Sequence, residues 1–145
     1  MSKLVDLHLH SNFSDGSYAP AEVIRRVAEK GLQAASICDH DMIDGSDEAL
    51  QAGREHGVEI LVGVELSVVW EGHQDIHLLG YCFDHKHAAL NESLQEFRDF
   101  RRNRNVMIVE KVNERLQQER RKPLSVAAVQ ARAAGAIGRP HIAME

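Results

Sequence analysis

The chain has 145 residues, 43% of them hydrophobic and 27% charged, which is enough for one domain with its own hydrophobic core. Its net charge of −5 argues against a broad basic surface for duplex DNA. No apolar run approaches the roughly 20 residues that cross a bilayer, and the first residues carry no secretory signal. The two cysteines, Cys38 and Cys82, are isolated, which suits reduced thiols in a cytoplasmic protein, although two cysteines can pair.

In chain order, residues 3–10 alternate as a strand, with Val5, Leu7 and Leu9 on one face and Asp6, His8 and His10 on the other. A turn at residues 14–17 leads to Pro20 and a helix over 21–30, striped by Val23, Ile24 and Val27 and closed by Gly31. A short buried strand over 34–38 ends at Asp39-His40-Asp41. A helix over 46–56 closes at Gly57, and strands are expected over 58–67 and 76–83. Strand–helix–strand units of this length favour a parallel sheet or a (β/α) barrel. After residue 86 the pattern changes to one long helix or a broken pair, interrupted at Pro123. A short helix follows from Ser125, then a loop at Gly135 and Gly138. A barrel of eight units needs roughly 250 residues, so four strands and a helical tail make about half of one.

Nine histidines stand in this chain, several where strands should end. His8 and His10, two apart on a strand, project from one face as a bidentate clamp for a divalent metal, or are two polar residues on a solvated face. Asp6 on that face could orient an imidazole. Asp15 lies in a turn from which a carboxylate can swing over the site. His40 falls at the carboxyl edge of the sheet, where barrel sites gather, with Asp41 or Asp44 as helix caps in the bland reading. Glu65, among apolar neighbours, needs a metal or a buried ion pair to offset its desolvation. His77 follows on the fourth strand, so four successive strands each deliver a side chain able to bind metal.

The stretches Asp-Leu-His-Leu-His-Ser-Asn-Phe-Ser-Asp-Gly, Ile-Cys-Asp-His-Asp, Gly-Val-Glu-Leu-Ser and Ile-His-Leu-Leu-Gly-Tyr resemble, in order and interval, the motifs of the polymerase-and-histidinol-phosphatase (PHP) family of metal-dependent phosphoesterases. The later Gly-Arg-Pro-His-Ile-Ala resembles a further motif of that family. The resemblance implies the first half of a distorted (β/α)7 TIM-like barrel over residues 1–85, then part of a helical insertion over 86–145 like that of the nucleotide-phosphatase and RNase-like branch. It implies up to three divalent ions of manganese, zinc or iron. His8, His10 and Glu65 would hold one, Glu65 would bridge to a second shared with His77, and Asp15 and His40 would serve a third. The nucleophile it implies is a metal-bound water held by Glu65 and His77. The family's later ligands, a histidine in an Ala-His-Pro-like motif and an Asp-x-His pair, have no match here, so each metal would lack one ligand. The chain thus reads as a portion of a longer protein.

The expected function is hydrolysis of phosphate esters on a nucleotide or the 5′ end of a short RNA, with a catalytically silent metal-binding fragment acting by association as the alternative. A metal-dependent amidohydrolase also uses His-x-His, but the Ser-Asp-Gly and Gly-Val-Glu motifs point away from it. Arg139 and His141 read as phosphate or leaving-group contacts or as a structural turn. Arg101, Arg102 and Arg104 read as a solvated helix face or as a grip on a nucleotide phosphate, and Trp70 as packing or a base platform. A half-barrel would expose sheet edge and apolar surface, so self-association is expected.

Overall fold

The computed structural model describes residues 4–131 and 142–144. A parallel sheet is built from β1 (Val5–Leu9), β2 (Ala34–Ile37) and β3 (Glu59–Ile60) in that order, linked by helices α1 (Pro20–Glu29) and α2 (Ser46–His56). Pro20 opens α1 where its missing N–H costs no bond, and Val23, Ile24 and Val27 form the face it buries. That face meets Ala35 and Ile37 of β2 and Ala49 and Ala52 of α2, the core of the parallel layer. Helix α2 stops at Gly57, whose φ of 70° lets its N–H turn back to the Gly53 carbonyl.

The strand expected over 58–67 is divided in the structure. After the two residues of β3 the chain steps past Leu61 and Val62 into β4 (Gly63–Trp70), which pairs antiparallel with β5 (His73–Tyr81). Glu71 and Gly72 form the whole connection, with φ of 47° and 81°, the positive pair that a two-residue hairpin turn demands. So short a link permits only antiparallel pairing, which is why the strand–helix alternation stops here. Strand β4 nevertheless continues the parallel layer. The Asp41 N–H donates to the Glu65 carbonyl at 2.9 Å and the Glu65 N–H to the Asp39 carbonyl at 3.2 Å. Gly63 makes the crossing possible, because a Cβ there would collide with Ser36 Oγ and Cys38 Sγ of the β2 strand and its exit. At the far end the Tyr81 hydroxyl donates to the Leu7 carbonyl at 2.8 Å, tying β5 back to β1.

Helix α3 (Ala88–Gln118) is a single unbroken helix of 31 residues, about 46 Å long. Its buried residues Leu94, Arg101, Asn105 and Val109 fall on one face. Leu94 packs on Ile43 and Val64, so the first half of the helix shares a core with the sheet. Val109 packs with Val129 of α4 (Val126–Gln130) and with Ile142. The Ser125 side chain caps α4 by accepting the Ala128 N–H. Among the described residues no helix is long and apolar enough to cross a membrane.

Candidate metal centre

Glu65 is the hub. Its buried carboxylate stands in the early part of β4, not late in a strand as the sequence suggested, and four imidazoles surround it. Oε2 lies 3.0 Å from His8 Nε2, 3.2 Å from His10 Nε2 and 3.5 Å from His40 Nδ1, while Oε1 lies 2.5 Å from His77 Nδ1. His8 lies on β1 and His10 one residue past its end. His40 follows β2, and His77 sits on β5 opposite Ser67, diagonal to Glu65 on the hairpin. Asp15 comes from the loop after β1, its oxygens 3.5 Å from His10 Nδ1 and from His40 Nε2.

These six residues form three overlapping groups: His8, His10 and Glu65; His10, Asp15 and His40; His40, Glu65 and His77. Within each group the ligand atoms lie within 4.8 Å of one another. All six residues expected as metal ligands therefore come together. The grouping adds to the expectation, since His10 also joins Asp15 and His40, and His40 also joins Glu65 and His77.

The electrostatics suit a cation. Hydrogen bonding to His40 holds the Asp15 carboxyl down at about 2, and the same bond raises His40 above its ordinary value. Burial lowers His10. Burial pushes Glu65 up, but its bond from His8, the charge of His40 and the bond from His77 outweigh that, so it ends below the usual carboxylate value. The protein alone does not satisfy this cluster. His40 Nδ1 is buried without a hydrogen-bond partner, and His8 and His10 aim their Nε2 atoms at each other across 3.2 Å. The rings crowd their nitrogens around an ionised carboxylate, an arrangement that a divalent ion would take over by coordination in place of these hydrogen bonds. The mixed nitrogen and oxygen donors suit a transition metal.

Residues that sequence reading passed over hold the ligands in place. The buried Asp39 accepts the Ser11 N–H at 2.8 Å and the Ser11 and Ser14 hydroxyls at 2.5 Å each, which pins the loop carrying Asp15. Gly16 completes that loop, because a Cβ there would run into the His10 carbonyl. The signal available was the two serines inside a motif already singled out, Ser11 before the turn and Ser14 at its start. Asp41 and Asp44 are not the helix caps of the bland reading, since Gly45 occupies the cap of α2. Asp41 is buried, its carboxylate taking the Ser67 N–H at 2.8 Å and Arg101 Nε at 2.5 Å, while Asp44 pairs with Arg98 at 3.1 Å. Asp6 accepts the His8 backbone N–H at 3.2 Å instead of orienting an imidazole.

Arg101 does not present the solvated face expected for its cluster: it is buried, whereas Arg102 is exposed and Arg104 half-buried. Trp70 is exposed at the tip of the β4–β5 hairpin. Arg139 and His141 lie outside the described residues.

Comparison with known proteins agrees with this geometry. The PHP domain model matches residues 6–138. A 5′-3′ exoribonuclease of Haemophilus influenzae is 42% identical over 112 residues, 77% of this chain and 40% of that protein. A 3′,5′-nucleoside bisphosphate phosphatase of Chromobacterium violaceum is 39% identical over 97 residues, 67% of this chain and 34% of that protein. The chain thus spans well under half the length of these relatives. Among solved structures, one from Bifidobacterium adolescentis described as a metal-dependent phosphoesterase aligns with a TM-score of 0.86 at 32% identity, covering 99% of this chain and 49% of that one. An amidohydrolase of Chromobacterium violaceum, solved with sulfate and no metal, aligns with a TM-score of 0.85 at 30% identity, covering 97% and 48%. The match over nearly the whole chain, together with the fold and the ligand set, shows that the chain belongs to the PHP domain family.

Proposed function

We propose that this chain supplies the amino-terminal ligands of a multi-metal phosphoesterase centre that hydrolyses phosphate esters of nucleotides or of the 5′ end of short RNA. The observation that carries the reading is the single Glu65 carboxylate shared by the imidazoles of His8, His10, His40 and His77. Its two oxygens face different groups, as a bridging ligand requires. Up to three divalent ions of manganese, zinc or iron would supply charge neutralisation at phosphorus and a lowered pKa for water. The protein's own part is to hold that array. Asp15 stays ionised, Asp39 fixes the loop beneath His10, and Asp41 fixes the strand that carries Glu65. Each group offers three protein atoms, which leaves coordination positions open for substrate, water or further ligands. The names of the relatives, an exoribonuclease and a nucleoside bisphosphate phosphatase, support a nucleotide or RNA substrate. The proposal of Arg139 and His141 as phosphate contacts rests on the sequence motif alone.

The test assays this chain, beside one completed to the length of its relatives, for manganese-dependent phosphate release from a nucleoside 3′,5′-bisphosphate and a short 5′-phosphorylated RNA. Turnover abolished by Glu65→Gln supports the reading. Metal uptake without turnover in either chain would support the silent-fragment alternative, and no uptake at all would sink both.

A further inference from the structure

Arg101 is a cation from the helical segment buried against the residue next to His40. Its Nε donates to Asp41 Oδ2 and its Nη2 to Ser67 Oγ, each at 2.5 Å. Asp41 in turn takes the Ser67 N–H on Oδ1, and its own N–H meets the Glu65 carbonyl. Arg101 therefore closes a ring of bonds between the exit of β2, which carries His40, and Ser67 of β4, two residues beyond Glu65. The backbone there is under strain, because Asp41 has a φ of 52°, sparsely occupied for a residue with a Cβ. A buried ion pair is weak as a source of stability, since apolar residues of similar size often serve as well. Its worth lies in fixing one geometry.

We propose that Arg101 is a positioning residue of the metal centre, locking the strained Asp41 turn so that His40 and Glu65 point at shared metal. Helix α3 then acts as a clamp, with Leu94 two turns earlier seated on Ile43 and Val64. Reciprocity follows: if docking of α3 favours metal uptake, metal uptake must favour docking of α3 by the same factor. This role rests on the metal-centre reading above.

The test measures manganese affinity of the 145-residue chain by titration, with thermal midpoints recorded alongside. Arg101→Met should weaken uptake by about 10- to 100-fold, as loss of a partner behind the ligands does. Arg98→Met removes a cation from the same helix that pairs with exposed Asp44, and should leave affinity within about twofold. Arg101→Lys keeps the charge beside Asp41 but loses the fork that also reaches Ser67, so it should fall between the two. It carries the test if Arg101→Met does not fold. In the unaltered chain manganese should slow amide exchange over residues 98–105, an effect absent in Arg101→Met. Affinity of Arg101→Met or Arg101→Lys equal to that of the unaltered chain would overturn the role alone. Equal weakening by Arg98→Met would reduce it to general helix packing and also overturn it. No uptake by the unaltered chain would sink the metal-centre reading beneath it.

Discussion

Glu65 Oε1 lies 2.5 Å from His77 Nδ1, while its other oxygen faces His8 at 3.0 Å. The two oxygens of one carboxylate thus look into different halves of the cluster. A ligand so placed would be common to more than one ion, since Glu65 belongs to two of the candidate groups, whereas His77 belongs to one only. Glu65→Gln, which preserves shape and removes the charge, should therefore lower bound manganese by more than one ion per chain. His77→Ala should lower it by one. Metal analysis after gel filtration checks the difference, and equal losses would contradict a bridging role.

Metal affinity should fall with falling pH, and the imidazoles should set the slope. Asp15, held at about 2, and Glu65, below its ordinary value, stay ionised throughout the neutral range. His40 is raised, so it keeps its proton to higher pH than a free histidine, and that proton must leave before Nδ1 can ligate. Protons therefore compete harder as pH drops from about 8 to about 6. Manganese titrations across that range should show steadily weaker binding, and a flat profile would remove the histidines from the site.

Asp39 holds three donors from Ser11 and Ser14 in a buried position. Asp39→Ala leaves the Ser11 N–H and hydroxyl without their acceptor and the Ser14 hydroxyl with only its longer contacts to Asp15 Oδ1 at 3.4 Å and His10 Nδ1 at 3.5 Å. It should cost about 3 kcal/mol of folding stability, since buried donors stripped of a charged acceptor lose the most. Denaturant unfolding of the metal-free chain measures this directly. A loss below about 0.5 kcal/mol, the range of ordinary surface changes, would mean that water replaces the carboxylate.

Leu4, just before β1, and Val5, its first residue, are 60% and 54% exposed, and on β5 Leu78 is 57% exposed. β1 is also an outer strand of the parallel layer. Apolar side chains on open strands favour association between copies. Sedimentation velocity should show concentration-dependent association that Val5→Lys reduces. A stable monomer at all concentrations would count against an exposed edge.

Much of the fold was legible because its signals are local. Pro20 and Gly57 mark helix ends through backbone restraints that act on the residue itself, and both stand where expected. The hairpin was missed because Glu71-Gly72 is not the usual asparagine- or aspartate-glycine turn, and the apolar run into it reads as one strand with Val58. The role of Arg101 was illegible because it depends on a partner 60 residues away. A run of arginines on a helix looks solvated until packing buries one of them.

The sequence by itself determined which side chains can bind metal, because imidazole and carboxylate chemistry travels with the residue and the motif order spreads them over successive strands and the loop after β1. Tertiary structure alone decided how they share. His8 and Glu65 stand 57 positions apart and meet only because β4 lies against the exit of β2, beside β1. Which oxygen faces which ring, and which aspartate braces which loop, follow from that packing, since a contact across strands is a property of register and burial and is written in no single segment.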